Sequence, residues 1–568
     1  MIIEAIYHEP DSNLCYPVST RRITLRLRVA AADNFEQVKV IYGEKYTYHM
    51  KQQEIPMQLK YNEKYFKYYE VSIDLSDVRF VYVFEITENG KKYYFSEDGI
   101  STEYDFKLAY YNCFQYPYIN EVDLPKKIDW LDNTVFYEIF VDRFFQGDFE
   151  KDQSYINEKW NNIPKPKSFY GGDLKGIIEK LDYLKELGIN ALYLTPIFSS
   201  ISNHKYDIND YYMIDKQFGT DKIFKELVTK AHSMGIRVVL DAVFNHSSNL
   251  IMQFQDVVKK GKKSPYFDWF IIHGDEVDEK ACNYETFSNC YYHPKFNTSN
   301  KEVRDFLIGI GKYYVKEFDI DGWRLDVADE LSHNFWREFR EELKNIKPDF
   351  FLVGENWHNS YPFLRGDQFD AIMNYAFTKT VLDYLAYETK DAKETSYKFN
   401  NLLIRNNEIV NDMMLNLLDS HDTDRFYTYV KKNLDKLMCG LAIQFVFKGV
   451  PGLYYGIEMP LEGGYDPDNR RCMDWDNLGK NSEYFAFLKA LIAIKRNNVC
   501  LQKGDIKIYE KMGMLVIERY TSKEWTYLYI NNTKDNVKLN INGNVLLSNK
   551  YDNNIIKPNG LVIFSEDK

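Results

Sequence analysis

Hydrophobic and polar residues alternate in short segments through the first 123 residues of the chain. This alternation predicts β-strands with one buried face, and turn-forming residues separate them at intervals typical of a β-sandwich. The clearest segments are RITLRLRVA at 22–30, VKVIYG at 38–43, YYEVSIDL at 68–75 and RFVYVFEIT at 79–87. We therefore predict an N-terminal β-sandwich over residues 1–123.

Residues 124–498 follow a different pattern, in which short apolar runs alternate with segments of helical periodicity. Helical periodicity is clear at 174–188, 221–235, 300–318 and 334–346. Eight βα units predict the α/β class, as a (β/α)₈ TIM barrel with insertions. The eight apolar runs are TVFYEIF (134–140), ALYLTPIF (191–198), RVVLDAVFN (237–245), GWRLDV (322–327), FFLVGEN (350–356), AIMNYAF (371–377), MMLNLLDS (413–420) and GLYYG (452–456).

Two further regions complete the predicted architecture. The segment of about 247–299, after the third strand of the barrel, is long enough to form a small inserted lobe. After the last amphipathic helix at 482–498, short alternating segments separated by Asn and Gly return. They predict a C-terminal all-β domain, a second β-sandwich over residues 499–568.

Charge and cysteine content narrow the class of partner and the compartment. The formal net charge of -12 argues against a nucleic-acid or anionic-membrane partner, because both require a basic face. The N-terminus lacks a basic segment followed by an apolar one, and the longest apolar run, at 437–447, is too short to span a bilayer. The seven cysteines are scattered without a C-x-x-C pair. We predict reduced thiols in a cytoplasmic protein.

Polar residues cluster at the ends of the predicted barrel strands, where a TIM barrel carries its reactive groups. Arg324 and Asp326 lie two apart, so their side chains share one side of a strand. A guanidinium beside a carboxylate orients it and favours its ionised form, as a covalent glycosidase requires of its nucleophile. The other strand-end residues are Asp241, Asn245 and His246 after strand three, Glu355 and Trp357 after strand five, and His421 and Asp422 after strand seven.

Three of these carboxylates suit the roles of a retaining glycosidase. Asp326 would attack the anomeric carbon, Glu355 would act as general acid and base, and Asp422 would bind ring hydroxyls and favour ring distortion. We predict a low pKa for Asp326, because Arg324 lies beside it, and a raised one for Glu355. Metal catalysis is disfavoured, since the histidines lack metal-binding spacing and Arg324 places a positive charge where the cation would lie.

These strand-end segments resemble the four main motifs of the α-amylase superfamily of glycoside hydrolases. The motifs are DAVFNH, GWRLDVADE, GENWH and LLDSHDTDRF, and the segments at 171–198, 203–211 and 449–475 extend the match. The leader ending in FQYPYIN and the segment HPKFN at 293–297 narrow the resemblance to the group of neopullulanases, cyclomaltodextrinases and maltogenic amylases.

The resemblance implies a role for each matching residue. It assigns Asp326 as nucleophile, Glu355 as acid/base and Asp422 as transition-state stabiliser. Tyr206 matches the platform under the sugar at the cleaved bond, and Asp466 and Arg470 match a pair that binds sugars further toward the non-reducing end. The other implied substrate-binding residues are His204, His246, Arg324 and His421 around that sugar, Asn245 beside them, and Trp357 and Tyr375 along the cleft.

The group implies an activity and an assembly. Its members are retaining hydrolases of α-1,4 and in part α-1,6 bonds in cyclodextrins, maltooligosaccharides and pullulan, with some transfer to sugar acceptors and no redox cofactor. The N-terminal domain is carbohydrate-binding-module-like in this group and commonly forms a homodimer. A glucanotransferase or a trehalose-forming isomerase of the same superfamily remains an alternative. A non-catalytic glucan-binding relative is another, although Asp326 and Glu355 are both present.

The sequence also departs from the group's pattern. Asn356, the HPKFN segment and Ile457 differ from the usual residues, which puts the subsite preference in question. The group's calcium site matches only at Asp148, Asp152, Gly171 and Asp173. Gln146 and Lys151 replace oxygen ligands, and an ammonium at Lys151 opposes a divalent ion. We expect no required cofactor and leave calcium possible.

Overall fold

The computed structural model describes residues 1–567. The chain divides into two compact units. The first contains residues 1–127, 390–411 and 507–516, and the second contains the rest of the described chain.

Two packed antiparallel sheets form the N-terminal part of the first unit, as predicted. Their inner faces bury one apolar core that includes Leu25, Leu27, Val40 and Phe84. One sheet has the order Cys15–Ser19, Arg22–Ala30, Phe66–Asp74, Gln58–Asn62. The other has the order Gln53–Pro56, Gln37–Glu44, Phe80–Glu88, Lys91–Ser96, Gly99–Ser101, with Phe114–Tyr116 paired to Phe80–Glu88.

The helix Ala392–Ile404 also belongs to the first unit. Its Asn400 side chain donates to the backbone carbonyl of Asn62, 2.9 Å away, at the end of a sandwich strand. The compact unit thus includes a helix from the middle of the chain.

Eight parallel strands form the barrel of the second unit, and they run in the order six, five, four, three, two, one, eight, seven. A bridge between Met373 and Leu415 closes the ring between strands six and seven. The barrel predicted from the sequence is confirmed. Strands one to eight are Phe136–Ile139, Ala191–Leu194, Arg237–Ala242, Gly322–Leu325, Phe351–Gly354, Ala371–Ile372, Leu415–Leu417 and Val450–Tyr454.

The long helices around the barrel bury their apolar sides, and each begins at a side-chain cap. Asp173, for example, accepts from the backbone N–H of Gly176 and starts the helix Leu174–Leu187, which ends at the left-handed Gly188. The α-helices that lie wholly in this unit are Val141–Phe144, Leu174–Leu187, Asp221–Ser233, Met252–Lys260, Lys301–Phe318, His333–Ile346, Tyr375–Val381, Phe426–Tyr429, Leu434–Val446, Ser482–Asn497 and Val499–Lys503. A short helix, Glu408–Met413, lies at the boundary of the two units.

The sixth strand is shorter than predicted. The run AIMNYAF at 371–377 is a strand only to Ile372, and a helix begins at Tyr375. Asn374 caps this helix by accepting from the backbone N–H of Phe377. A short apolar run does not distinguish a strand from a buried helix, so the cap decides the boundary.

The inserted lobe carries the helix Met252–Lys260 followed by short 3₁₀ turns, and isolated bridges such as Phe270–Phe296 join its loops. A hairpin, Phe198–Ser200 with Ile208–Ile214, follows the second barrel strand. In the C-terminal region, a six-stranded sheet confirms the predicted all-β fold. Its strands are Asp505–Lys511, Met514–Tyr520, Glu524–Asn531, Val537–Lys538, Asn544–Asp552 and Ile555–Asp567.

All seven cysteine thiols are free, and five of them are buried. No helix within residues 1–567 is both long and apolar enough to cross a membrane.

Candidate active site

A cavity of about 400 Å³ opens at the carboxyl ends of the barrel strands. It brings together residues that are far apart in the sequence, because parallel strands end on one rim. The predicted site residues on its wall are His204, Tyr206, His246, Asp326, Glu355, Trp357, Asp422, Asp466 and Arg470. The other predicted residues, Asn245, Arg324, Tyr375 and His421, lie behind the wall. Nδ2 of Asn245 lies 3.4 Å from Nδ1 of His246, and the contacts of the other three are described below.

Arg324 is the centre of the charged cluster and is itself 1 % exposed. Its Nη1 lies 2.7 Å from Oδ1 of Asp326 and 3.0 Å from Oδ1 of Asp241. Its Nη2 lies 2.7 Å from Oε2 of Glu355 and 3.7 Å from Oδ2 of Asp422. The Arg324 guanidinium therefore contacts four carboxylates, the three that are predicted to be catalytic and the buried Asp241.

Glu355 is held at both of its oxygens. Oε2 accepts from the backbone N–H of Val327 at 3.1 Å as well as from Arg324. Oε1 accepts from the indole Nε1 of Trp357, also at 3.1 Å. These bonds fix the carboxyl group beside Asp326 at the ends of adjacent strands five and four.

His421, Tyr206 and Asp422 form a second hydrogen-bonded group on the same wall. The Tyr206 hydroxyl lies 2.6 Å from Nε2 of His421 and donates to Asp241, 2.8 Å away. The Tyr206 ring also stacks on the His421 ring at 5.5 Å. Nε2 of His421 lies 3.1 Å from Oδ2 of Asp422, and its Nδ1 bonds Glu138 behind the wall. Asp422 and Tyr206 are thus both positioned by one histidine.

The pKa values in the cluster do not follow the predicted pattern. Burial raises the pKa of Asp326 well above its usual range, and Glu355 and Asp241 add to the rise while Arg324 opposes it. The predicted low pKa of Asp326 is therefore wrong. The main reason is burial, which Arg324 does not offset because its guanidinium is shared among several carboxylates. The prediction for Glu355 stays a prediction.

Asp422 has the opposite shift. Burial by itself would raise its pKa, but His421, Arg324 and Arg470 outweigh burial and lower the pKa below its usual range. Burial also disfavours the charged form of His421, yet Asp422 and Glu138 raise its pKa. Asp422 is therefore an ionised partner of a cation, whereas Asp326, Asp241 and Glu355 share the single guanidinium of Arg324.

Two predicted pairs form the outer part of the site. Trp357 is 46 % exposed and stacks on Tyr375 with ring centroids 3.6 Å apart. Asp466 and Arg470 form an ion pair at 3.0 Å, and Nε of Arg470 donates to the backbone carbonyl of His421. The first pair offers an aromatic face and the second offers charged hydrogen-bonding groups to a polar, neutral ligand.

Comparison with known proteins agrees with this geometry. The alpha amylase catalytic domain model matches residues 138–504, and the alpha amylase N-terminal ig-like domain model matches residues 1–120. The chain belongs to the alpha-amylase family of glycoside hydrolases.

Individual relatives in the alpha-amylase family match nearly the whole chain. A cyclomaltodextrinase of Thermoanaerobacter pseudethanolicus is 42% identical, covering 94% of this chain and 94% of the relative. An intracellular maltogenic amylase of Bacillus subtilis is 40% identical, covering 89% and 86%. A solved cyclomaltodextrinase structure superposes with a TM-score of 0.91 at 35% identity, covering 100% of this chain and 98% of the other.

Two cleft residues of the inserted lobe were not predicted from the sequence. Phe287 and His293, both in the inserted lobe, line the cleft. The Phe287 ring stacks on His246 at 4.7 Å and 8°, and His293 lies 4.8 Å from His246. Nε2 of His246 is buried with no hydrogen-bond partner within the described chain. The contacts arise from loop folding within the lobe, for which the local pattern gives no signal.

The residues expected to bind calcium do not fit that ion. The ammonium of Lys151 lies 2.8 Å from both the carbonyl of Gly171 and Oδ2 of Asp173, where the cation would need its oxygen ligands. The carboxylates of Asp148 and Asp152 instead accept from backbone N–H groups two residues further along their own loop. In residues 1–567, no group of three or more His, Cys, Asp or Glu is arranged to hold a metal ion.

Proposed function

We propose that the protein hydrolyses α-1,4-glucosidic bonds of cyclodextrins, short maltooligosaccharides and pullulan with retention of configuration, and α-1,6 bonds in part. One observation carries the proposal. Asp326 and Glu355 lie at the ends of adjacent strands, line one cleft and are bound at 2.7 Å by the same guanidinium. The names of the related cyclomaltodextrinase and maltogenic amylase support the choice of substrates.

The mechanism follows from the positions of these carboxylates. Asp326 attacks the anomeric carbon while Glu355 protonates the glycosidic oxygen, so the leaving sugar departs and a covalent glycosyl-enzyme forms. Glu355 then removes a proton from water, which attacks the anomeric carbon and releases Asp326. A sugar hydroxyl that replaces this water gives transfer instead of hydrolysis.

The cluster of carboxylates in the cleft suits the transition state of both steps. Positive charge develops on the sugar ring as the glycosidic bond breaks. Fixed carboxylates around it, with Asp422 kept ionised by His421, stabilise that charge without rearrangement of the site. Arg324 limits the repulsion among the carboxylates in the free enzyme.

Product analysis with rates tests the proposal. β-Cyclodextrin, pullulan and soluble starch are incubated side by side, with Asp326→Asn protein as the blank. We expect β-cyclodextrin to be opened fastest, with maltose and glucose as products. Starch cut fastest would contradict the proposed substrate preference. No cleavage of any of the three, or isomerisation of maltose, would reject the hydrolase in favour of the isomerase or a non-catalytic glucan-binding protein.

We also propose a cytoplasmic homodimer that associates through the N-terminal domain. Free cysteines and an intracellular relative support the compartment. Exposed apolar side chains in one short segment support the interface, since Leu108 is 54%, Tyr110 66% and Tyr111 72% exposed. Light scattering at micromolar concentration should give the mass of a dimer. The Tyr110→Ser/Tyr111→Ser protein should be a monomer, whereas a monomeric wild-type protein would contradict the proposal.

A further inference from the structure

Lys151 carries an ammonium whose three hydrogens all have acceptors inside the protein. Nζ lies 2.8 Å from the carbonyl of Gly171, 2.7 Å from the carbonyl of Gln217 and 2.8 Å from Oδ2 of Asp173. The Lys151 side chain is only 6% exposed and that of Asp173 is 0% exposed. A lysine can donate three hydrogen bonds, so this one is saturated without water.

The acceptors belong to separate segments that Lys151 joins. Asp173 caps the helix Leu174–Leu187 by accepting from Gly176 at 2.7 Å, and it also accepts from the N–H groups of Gly147 and Asp148. Gln217 follows the hairpin strand Ile208–Ile214. Without the Lys151 ammonium, the buried Asp173 carboxylate and the carbonyl oxygens of Gly171 and Gln217 would face one another with no positive charge between them.

A second buried ammonium continues the connection toward the cleft. The side-chain oxygen of Gln217 accepts from Nζ of Lys205 at 2.6 Å, and Lys205 pairs with Asp215 at 2.9 Å. Lys205 is fully buried and lies between His204 and Tyr206, which both line the cleft. Lys151 therefore supports, through Gln217, the segment that carries the Tyr206 platform.

We infer that the Lys151 ammonium is a built-in cation that replaces a divalent metal ion at the Gly171–Asp173–Gln217 junction. Two backbone carbonyls and a carboxylate are the oxygen donors that Ca²⁺ prefers, and here they converge on a single nitrogen. The wild-type protein thus needs no metal at this position. Truncating the lysine would leave an oxygen-lined, negatively charged cavity, which gives the variant a Ca²⁺ site that the wild type lacks.

Thermal unfolding with excess CaCl₂ and with EDTA tests the inference. We expect the wild-type Tm to be the same in both. The Tm of Lys151→Ala in EDTA should fall by about 5 °C, because a buried carboxylate loses its cation, and CaCl₂ should restore most of the loss. Lys151→Met should lose as much without recovery, since the longer side chain fills the cavity. Lys216→Ala, an exposed lysine beside Gln217, is the matched control and should not respond.

Each alternative result is decisive. A wild-type Tm that falls in EDTA would show that a metal is bound despite Lys151, and this measurement does not depend on any variant. An unchanged Tm for Lys151→Ala in EDTA, or a loss that CaCl₂ does not restore, would overturn the replacement of a metal by the ammonium. Calorimetric titration should detect one Ca²⁺ site in Lys151→Ala and none in the wild type.

Discussion

The two ends of the fourth barrel strand carry two buried aspartates in opposite electrostatic surroundings. Asp321 precedes the strand Gly322–Leu325 and Asp326 follows it. Both are nearly inaccessible to water, with 1% and 5% exposure. Asp321, at the amino end of the barrel, and Asp326, at its carboxyl end, are thus only five positions apart in the sequence.

Basic side chains surround Asp321. His232 lies at 2.7 Å, Arg237 at 2.8 Å and Lys347 at 2.9 Å from its oxygens, and the N–H of Val238 donates as well. Burial would raise its pKa, but His232 and Lys347 outweigh burial and hold the pKa below the usual range. Every oxygen of this carboxylate is compensated, which suits a purely structural role.

Asp326 shares one cation with other carboxylates, and its pKa is raised instead. Because the charge of the Asp326 carboxylate is incompletely compensated, the free protein loses stability. Such an arrangement is expected where the site binds a cationic transition state. The difference teaches that charge balance, rather than burial or residue type, separates the structural aspartate from the proposed nucleophile. The amino end of the barrel stabilises the fold and the carboxyl end performs the chemistry.

The same substitution at both ends gives the largest expected contrast. Asp326→Asn should lower kcat by at least about 10⁴-fold, because an amide cannot form the glycosyl-enzyme, while its Tm stays equal or rises. Asp321→Asn should keep kcat and lose about 3 kcal/mol of unfolding free energy, because Arg237, Lys347 and His232 lose their carboxylate partner. Initial rates on β-cyclodextrin and thermal unfolding measure both. Comparable activity loss in the two proteins would break the comparison.

The pH dependence of the unfolding temperature tests how much Asp321 contributes to stability. Because its folded-state pKa is lowered, its stabilisation is fully present above the unfolded pKa of about 3.9 and is lost as the pH falls toward the folded value. The Tm difference between wild type and Asp321→Asn should therefore be largest near neutral pH and shrink below about pH 4. A difference that grows on acidification would contradict the assignment.

Arg324→Lys tests whether the geometry of the shared cation matters. An ammonium keeps the charge but lacks the planar fork that reaches Asp326 with one nitrogen and Glu355 with the other. We expect kcat/KM to fall by about 10²- to 10³-fold. Arg237→Lys, at the structural end, is the matched control and should leave kcat/KM unchanged, since it makes only one close contact with Asp321. Equal kinetic effects would contradict the distinction.

Removing a neighbouring negative charge should shift the acid limb of activity. Hydrolysis requires ionised Asp326, so kcat/KM falls as the pH drops through its raised pKa. Asp241 contributes to that rise and competes for Arg324. Asp241→Asn should therefore lower the pKa of Asp326 and move the acid limb down by about half a pH unit. Asp321→Asn should not move it, and an upward shift in Asp241→Asn would reject the proposed coupling.

Much of this contrast was accessible from the sequence, because barrel strands have strong apolar runs and their polar ends are therefore easy to identify. The parallel order that brings Asp326, Glu355 and Asp422 to one rim follows from the fold alone. The pKa of Asp326 was not accessible. It depends on how Arg324 divides its contacts among carboxylates from strands three, four and five, and no local pattern records that division.

The role of Lys151 was only partly predictable for a related reason. The sequence shows a lysine where an oxygen ligand is expected, but it does not show that Gly171 and Gln217 direct their carbonyls at the ammonium. The covering of His246 by Phe287 depends likewise on loop conformation, with Ser288 in the left-handed region at φ 52°. Contacts between loops are set by tertiary packing rather than by residue periodicity.

The smallest effect on activity is expected at Trp357, because its indole is a neutral donor to the Glu355 carboxylate rather than a cation. The Trp357 indole donates to Oε1 of Glu355 at 3.1 Å and stacks on Tyr375. Trp357→Phe retains an aromatic face but removes the donor, so kcat should fall by about 3- to 10-fold with little change in KM. Steady-state kinetics on maltotriose measures both constants. A rise in KM with unchanged kcat would show that Trp357 acts only as a sugar-binding surface. A loss of activity as large as that of Arg324→Lys would show that charge does not distinguish the carboxyl end of the barrel from the amino end.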